Sequence, residues 1–130
     1  MAIFCGGEFD LGERMVGYLV NAFSLAMLAP GAFNKQGSAV VIVTPLHSLD
    51  EVRRWLGQGF ISAVGHQSTA ELLTQLLGLP VEANRVQVTL RPGDQAIVFQ
   101  LLSRLPEGKV LNEEELKQIQ FKFFLVTVMR

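Results

Sequence analysis

The run Phe121-Lys122-Phe123-Phe124-Leu125-Val126-Thr127-Val128-Met129 constrains this chain more than any other. At the two-residue period of a strand, Phe121, Phe123, Leu125, Thr127 and Met129 share one face, and Lys122, Phe124, Val126 and Val128 the other. Both faces are mostly apolar. A strand solvated on one side would alternate apolar with polar, so this one has to be central in a sheet or buried at an interface. The β-branched run at residues 39–43 has the same character and is expected to be a second strand buried on both faces, ended by Pro45. With 49% hydrophobic residues in 130, one domain can bury a core large enough to cover such strands.

Helices are announced by three capping boxes, in which a side chain three residues on reaches back to the cap. Ser48 with Glu51 opens a helix over 49–56, stopped by Gly57 and Gly59. Ser68 with Glu71 opens one over 69–77, stopped by Gly78 and Pro80, and Asn112 with Glu115 opens a short one to about residue 118. Tyr18-Leu19-Val20 reads as a short strand, followed by a helical turn that ends near Leu28 and is closed by Pro30 and Gly31. Residues 60–64 read as the end of a buried strand. Residues 86–90 and 95–102 read as an antiparallel hairpin about Pro92-Gly93-Asp94. The expected fold is a single α/β domain over 18–130, a mixed, mostly antiparallel sheet flanked by short helices. Residues 1–17, with Gly6, Gly7, Gly12 and Gly17 and no hydrophobic period, read as a loose leader.

Charge narrows the function. Eleven basic against twelve acidic residues leave a net charge of −1, so there is no global basic field to hold long duplexes, and DNA is not an expected partner. Cys5 is the only cysteine, which rules out an intrachain disulfide and points to a reducing, cytoplasmic setting. His47, His66 and Cys5 are too widely spaced for a zinc cluster, and no metal or other cofactor is expected. No run reaches the roughly 18 apolar residues of a membrane span.

Two places carry chemistry. In Ala63-Val64-Gly65-His66-Gln67-Ser68-Thr69 a strand passes into a helix, and His66 stands beside a helix N-terminus, whose unpaired N–H groups suit an anion such as phosphate. An ordinary loop histidine is the bland alternative. The second is Gln100-Leu101-Leu102-Ser103-Arg104-Leu105-Pro106-Glu107-Gly108-Lys109, which mixes amide, base and acid at a strand end; a surface Arg104–Glu107 ion pair would explain it as well. Asn21 and Ser24 are possible caps or ligand contacts.

Leu19-Val20-Asn21-Ala22-Phe23-Ser24, the Gly65-His66 segment, Asn84-Arg85-Val86 and the segment from Gln100 to Lys109, in that order, resemble the viral type III anti-CRISPR ring nucleases and their cellular relatives. The likeness runs from about Tyr18 to the C-terminus. It implies a metal-independent phosphodiesterase, working as a homodimer, that opens cyclic tetra-adenylate and so switches off type III CRISPR signalling in the host cytoplasm. By the same resemblance His66 is the catalytic acid, assisted by Arg104 and Glu107. Asn21, Ser24, Ser68, Thr69, Arg85 and Gln100 match positions that hold ribose, base and phosphate. Gln67 stands where some relatives carry an acid, and Pro106 stiffens the segment between Arg104 and Glu107. A non-catalytic module that binds or sequesters a cyclic oligonucleotide is the alternative function.

Overall fold

The computed structural model describes residues 17–102 and 112–129. Five strands form one sheet: β1 (Tyr18–Val20), β2 (Val41–Leu46), β3 (Ile61–Ala63), β4 (Gln95–Leu101) and β5 (Phe121–Val128), in the order β2-β5-β4-β1-β3. The α-helices among the described residues are α1 (Leu49–Leu56), α2 (Gln67–Leu77) and α3 (Glu113–Gln118). The expected class therefore stands. The long ladders, β5 with β2 and with β4, are antiparallel, whereas the short β1 runs parallel to both β4 and β3.

β5 lies inside the sheet, the first of the two placements that its apolar faces allow. One face, carrying Leu19, Ile97, Phe99, Phe123 and Leu125, packs against Val52 and Leu56 of α1 and Leu72, Leu73 and Leu77 of α2. Phe99 anchors this core, fully buried, with its ring centroid 5.1 Å from that of Phe123 and 5.9 Å from that of Phe121. The other face, with Val20, Ala96, Val98, Val126 and Val128, is covered by Ala32, Val88 and Leu90 from the connecting segments.

Three expectations need correcting. β2 is an edge strand, not a strand buried on both faces: Ile42 is 46% and Val43 54% exposed, and Pro45 sits within it. Among the described residues only β5 pairs with it, and proline, which has no N–H to donate, is tolerated on such an edge. The hairpin is absent. β1 and β5 occupy both edges of β4, so residues 86–90 have no strand to pair with. They cross the sheet as extended chain, held by Leu90 N donating to Met27 O (2.6 Å) and Ala29 N to Leu90 O (2.8 Å). Their alternation survives as burial of Val88 and Leu90 with Val86 turned out. Finally, Pro30 begins a second 3-10 turn, Pro30–Ala32, after Leu25–Met27, instead of closing the first.

The helices at the two ends of the core follow their caps. Ser48 Oγ accepts from Glu51 N (3.1 Å), while the Glu51 carboxylate reaches His47 N (2.9 Å), one residue before the cap. Asn112 and Glu115 form the full reciprocal box, at 2.8 and 3.1 Å. α2 ends at Gly78 in the left-handed conformation (φ 68°), which a side chain would strain. Thr74 Oγ1 then accepts from Val81 N (3.0 Å) and turns the chain back.

Arg53 lies on the α1 side that packs inward, and its role is to join the two helices. Its Nε donates to Leu77 O (2.8 Å) and an Nη to Leu76 O (3.2 Å), satisfying carbonyls that the end of α2 leaves without helical partners. Asp50 holds the guanidinium from the other side at 2.7 Å. Arg53→Ala should therefore lower the unfolding free energy by about 1–2 kcal/mol, the worth of partly exposed charge-assisted hydrogen bonds. A urea midpoint equal to that of the parent protein would contradict the bridge.

Candidate functional site

The sheet's three parallel strands determine where polar groups gather. β1 pairs Val20 with both Ala63 of β3 and Val98 of β4, so the carboxyl ends of these strands are level. Chain leaving β1 crosses to one face, where Ala32, Phe23 and Met27 pack, whereas chain leaving β3 enters α2 on the opposite face. A crevice opens where neighbouring strands lead to opposite sides, and that is where ligands of open α/β sheets bind. At this rim stand Asn21, one residue beyond β1, Gly65 and His66 beyond β3, and Gln100 near the end of β4. Neighbouring strands lie ~4.8 Å apart, so these groups belong to one locality.

The helix entry differs from the sequence reading. α2 begins at Gln67, with His66 as N-cap in extended conformation (φ −123°, ψ 133°) and its carbonyl accepting from Ala70 N (3.0 Å). Ser68 and Thr69 are thus in the first turn, and the Ser68–Glu71 box does not form. Glu71 instead accepts from Gln67 Nε2 (3.4 Å). No side chain of the N-cap residue bonds the first-turn amides, whose N–H groups have no intrahelical acceptor. His66 is exposed, Ser68 half-buried and Thr69 buried.

Asn84 and Arg85, which directly precede the strand expected over 86–90, clasp this entry. Asn84 N donates to Val64 O (2.7 Å), Asn84 Nδ2 to Ser62 O (2.7 Å), and Ser62 Oγ to Glu82 O (2.6 Å). Arg85 Nε donates to Gly65 O (3.1 Å), leaving an exposed guanidinium beside His66. Gly65 does not supply a left-handed turn. A β-carbon there would lie 3.6 Å from Arg85 Cγ, ordinary contact.

Asn21 and Gln100 line a groove of about 340 Å³ with Phe23, Val43 and Phe124 on the open half of the sheet face. Ser24 is exposed, and its Oγ accepts from Ala26 N (3.2 Å), so capping of the first 3-10 turn accounts for it. Arg104 and Glu107 lie outside the described residues. Sequence reasoning missed Asn84 and Ser62 as clasps and Phe23 and Phe124 as groove walls. The adjacent Asn84-Arg85 pair was the available signal, obscured by the expectation of a strand. Among the described residues no group of three or more His, Cys, Asp or Glu could hold a metal ion, and no helix is long and apolar enough to cross a membrane.

Residues 17–123 match the family described as STIV B116-like. The chain belongs to that family. It is 35% identical over 114 residues to "uncharacterized protein 26" of Sulfolobus islandicus filamentous virus (isolate Iceland/Hveragerdi), covering 86% of this chain and 91% of the relative. "Uncharacterized protein ORF116" of Acidianus filamentous virus 1 is 38% identical over 108 residues, covering 81% and 85%. "Uncharacterized protein YddF" of Bacillus subtilis is 37% identical over 83 residues, covering 62% and 77%. The solved structure of B116 of Sulfolobus turreted icosahedral virus superposes with a TM-score of 0.68 at 32% identity, covering 86% of this chain and 98% of that one.

The displaced helix start has a measurable consequence. Ser48→Ala should cost about 1 kcal/mol as loss of a true N-cap, whereas Ser68→Ala should stay within ~0.5 kcal/mol. Chemical denaturation of both variants checks this, and equal losses would return Ser68 to the cap position.

Proposed function

We propose that this protein is a ring nuclease, a metal-independent phosphodiesterase that opens cyclic tetra-adenylate and thereby switches off type III CRISPR signalling in the cytoplasm of the cell it acts in. The observation that carries this reading is the convergence of Asn21, the Gly65-His66 helix entry clasped by Arg85, and Gln100 at the level ends of three parallel strands. A helix N-terminus without a side-chain cap, next to an exposed arginine and histidine, suits a phosphodiester. These are residues on which the resemblance to ring nucleases also rests.

The chemistry draws its nucleophile from the substrate. A ribose 2′-OH attacks the adjacent phosphorus in line, the O2′–P bond forms as the P–O5′ bond breaks, and a 2′,3′-cyclic phosphate is left. His66 gives its proton to the departing O5′. Glu107 takes the 2′-OH proton or orients its neighbours, and Arg104 offers a planar fork of donors to the non-bridging oxygens, where charge accumulates. Asn21, Ser24, Ser68, Thr69, Arg85 and Gln100 hold the ribose, base and phosphate groups. A two-fold homodimer presents two such sites to opposite edges of the ring. Val40, Ile42, Val43 and Met129, all exposed at or beside the edge strand β2, supply apolar surface for a contact between copies.

His66→Ala should slow single-turnover cleavage of cyclic tetra-adenylate by roughly 10²- to 10⁴-fold while leaving the ring bound. Chelator should have no effect, and substitution of 2′-deoxy at the scissile positions should stop the reaction. Chromatography of the products decides between readings. Cleavage at the parental rate by the variant would overturn the role of His66, and binding without any product would make the protein a sequestering module.

A further inference from the structure

β3 is an outermost strand of the sheet, and the chain reaches His66 three residues after it ends. β1 holds its inner edge, with Ile61 N donating to Gly17 O (3.0 Å). Successive residues of a strand turn their N–H and C=O groups to opposite edges, so the carbonyls of Ser62 and Val64 face outward, where no further strand lies among the described residues. A strand this short, paired on one side, is prone to open at its end. Gly65 then adds a joint that no side chain restricts, and His66 makes no cap hydrogen bond of its own. The direction of the imidazole is set by whatever fixes the peptides before it.

Asn84 fixes them. Its main-chain N–H donates to Val64 O (2.7 Å) and its Nδ2 to Ser62 O (2.7 Å), so one residue spans two successive outward carbonyls, as a neighbouring strand would. The ladder proper contributes a single bridge there, Val64 with Ala83. A carbonyl can only accept, so the group facing Ser62 O has to be a donor, and aspartate, of the same shape, would set oxygen against oxygen. Arg85 Nε takes the next carbonyl, Gly65 O (3.1 Å), in the peptide that leads into His66. Asn84 is half-buried, whereas His66 is exposed. The amide spends its donor on the strand, and the exposed histidine is left to meet the ring.

We infer that Asn84 is a positioning residue of the cleavage reaction, which ties the outer edge of β3 and thereby aims the His66 imidazole at the departing oxygen; this rests on the ring nuclease reading of the same site. A displacement of about 1 Å in such a group costs about 10²-fold in rate, so the support is worth as much to catalysis as many direct contacts.

The test compares Asn84→Leu and Asn84→Asp, each alone and combined with His66→Ala, with the parent in single-turnover opening and in equilibrium binding of cyclic tetra-adenylate. Thermal melting checks that each variant is folded. Arg53→Ala, which acts at the other end of α2, serves as the comparator for lost stability. Both Asn84 variants should cleave about 10- to 100-fold more slowly than the parent while binding the ring within about threefold. Arg53→Ala should cleave at the parental rate despite its lower melting temperature. In the His66→Ala background the Asn84 substitutions should cost no more than about twofold, because nothing is left for them to position. The imidazole NMR signals of His66 should move in both variants, and those of His47, the only other histidine, should stay in place.

Folded Asn84 variants that cleave within about twofold of the parent, or whose loss multiplies with that of His66→Ala, would overturn the positioning role and leave the ring nuclease reading standing. So would unmoved His66 signals, an equal slowing by Arg53→Ala, or failure of both Asn84 variants to fold, which would make the residue a part of the fold alone. If the parent does not open the ring, the ring nuclease reading falls and the role of Asn84 falls with it.

Discussion

Two-sided burial of the inner strands is the constraint on which the rest of this structure depends. β4 and β5 carry large apolar side chains on both faces, and each such face must be shielded from water at about 25 cal/mol per Å² of exposed apolar surface. α1 and α2 shield one face around Phe99. The other has no α-helix packed on it among the described residues, so the connecting segments over 23–40 and 86–91 do the work with Ala32, Val88 and Leu90. That second layer is thin, and it stops short of Val43 and Phe124. The groove results.

The same division of layers generates the site. β1 and β3 are parallel neighbours whose chains depart to opposite faces, which leaves the carboxyl ends of the strands uncovered. The helix entry is anchored from below rather than by its own cap. Asn84 and Arg85 bond carbonyls of Ser62, Val64 and Gly65, and the first-turn amides stay free of a cap side chain. A sequence selected only for stability would place a capping oxygen there, worth about 1 kcal/mol. His66 stands in that place instead, in extended conformation and without a side-chain cap hydrogen bond.

Membership of the STIV B116-like family is consistent with a fold carried by few strong constraints, since B116 of Sulfolobus turreted icosahedral virus superposes at 32% identity. Fold alone does not specify function. What distinguishes the catalytic reading from a generic sheet protein is the polar set at the strand ends.

By itself the sequence determined several of the elements. α1 was legible from Ser48 and Glu51, α3 from Asn112 and Glu115, and the inner position of β5 from its two apolar faces, because caps and hydrophobic period act through neighbours a few residues apart. His66, Asn21, Arg85 and Gln100 were singled out by type and order. Only the tertiary structure decided that β1 separates β3 from β4, that residues 86–90 have no strand to pair with, that β2 is an edge, and that α2 starts at Gln67 so that His66 rather than Ser68 is its cap. The first three turn on which strand occupies which edge. That choice is made by contacts between residues tens of positions apart, such as Val20 with Val98 and Asn84 with Ser62, which leave no periodic trace along the chain.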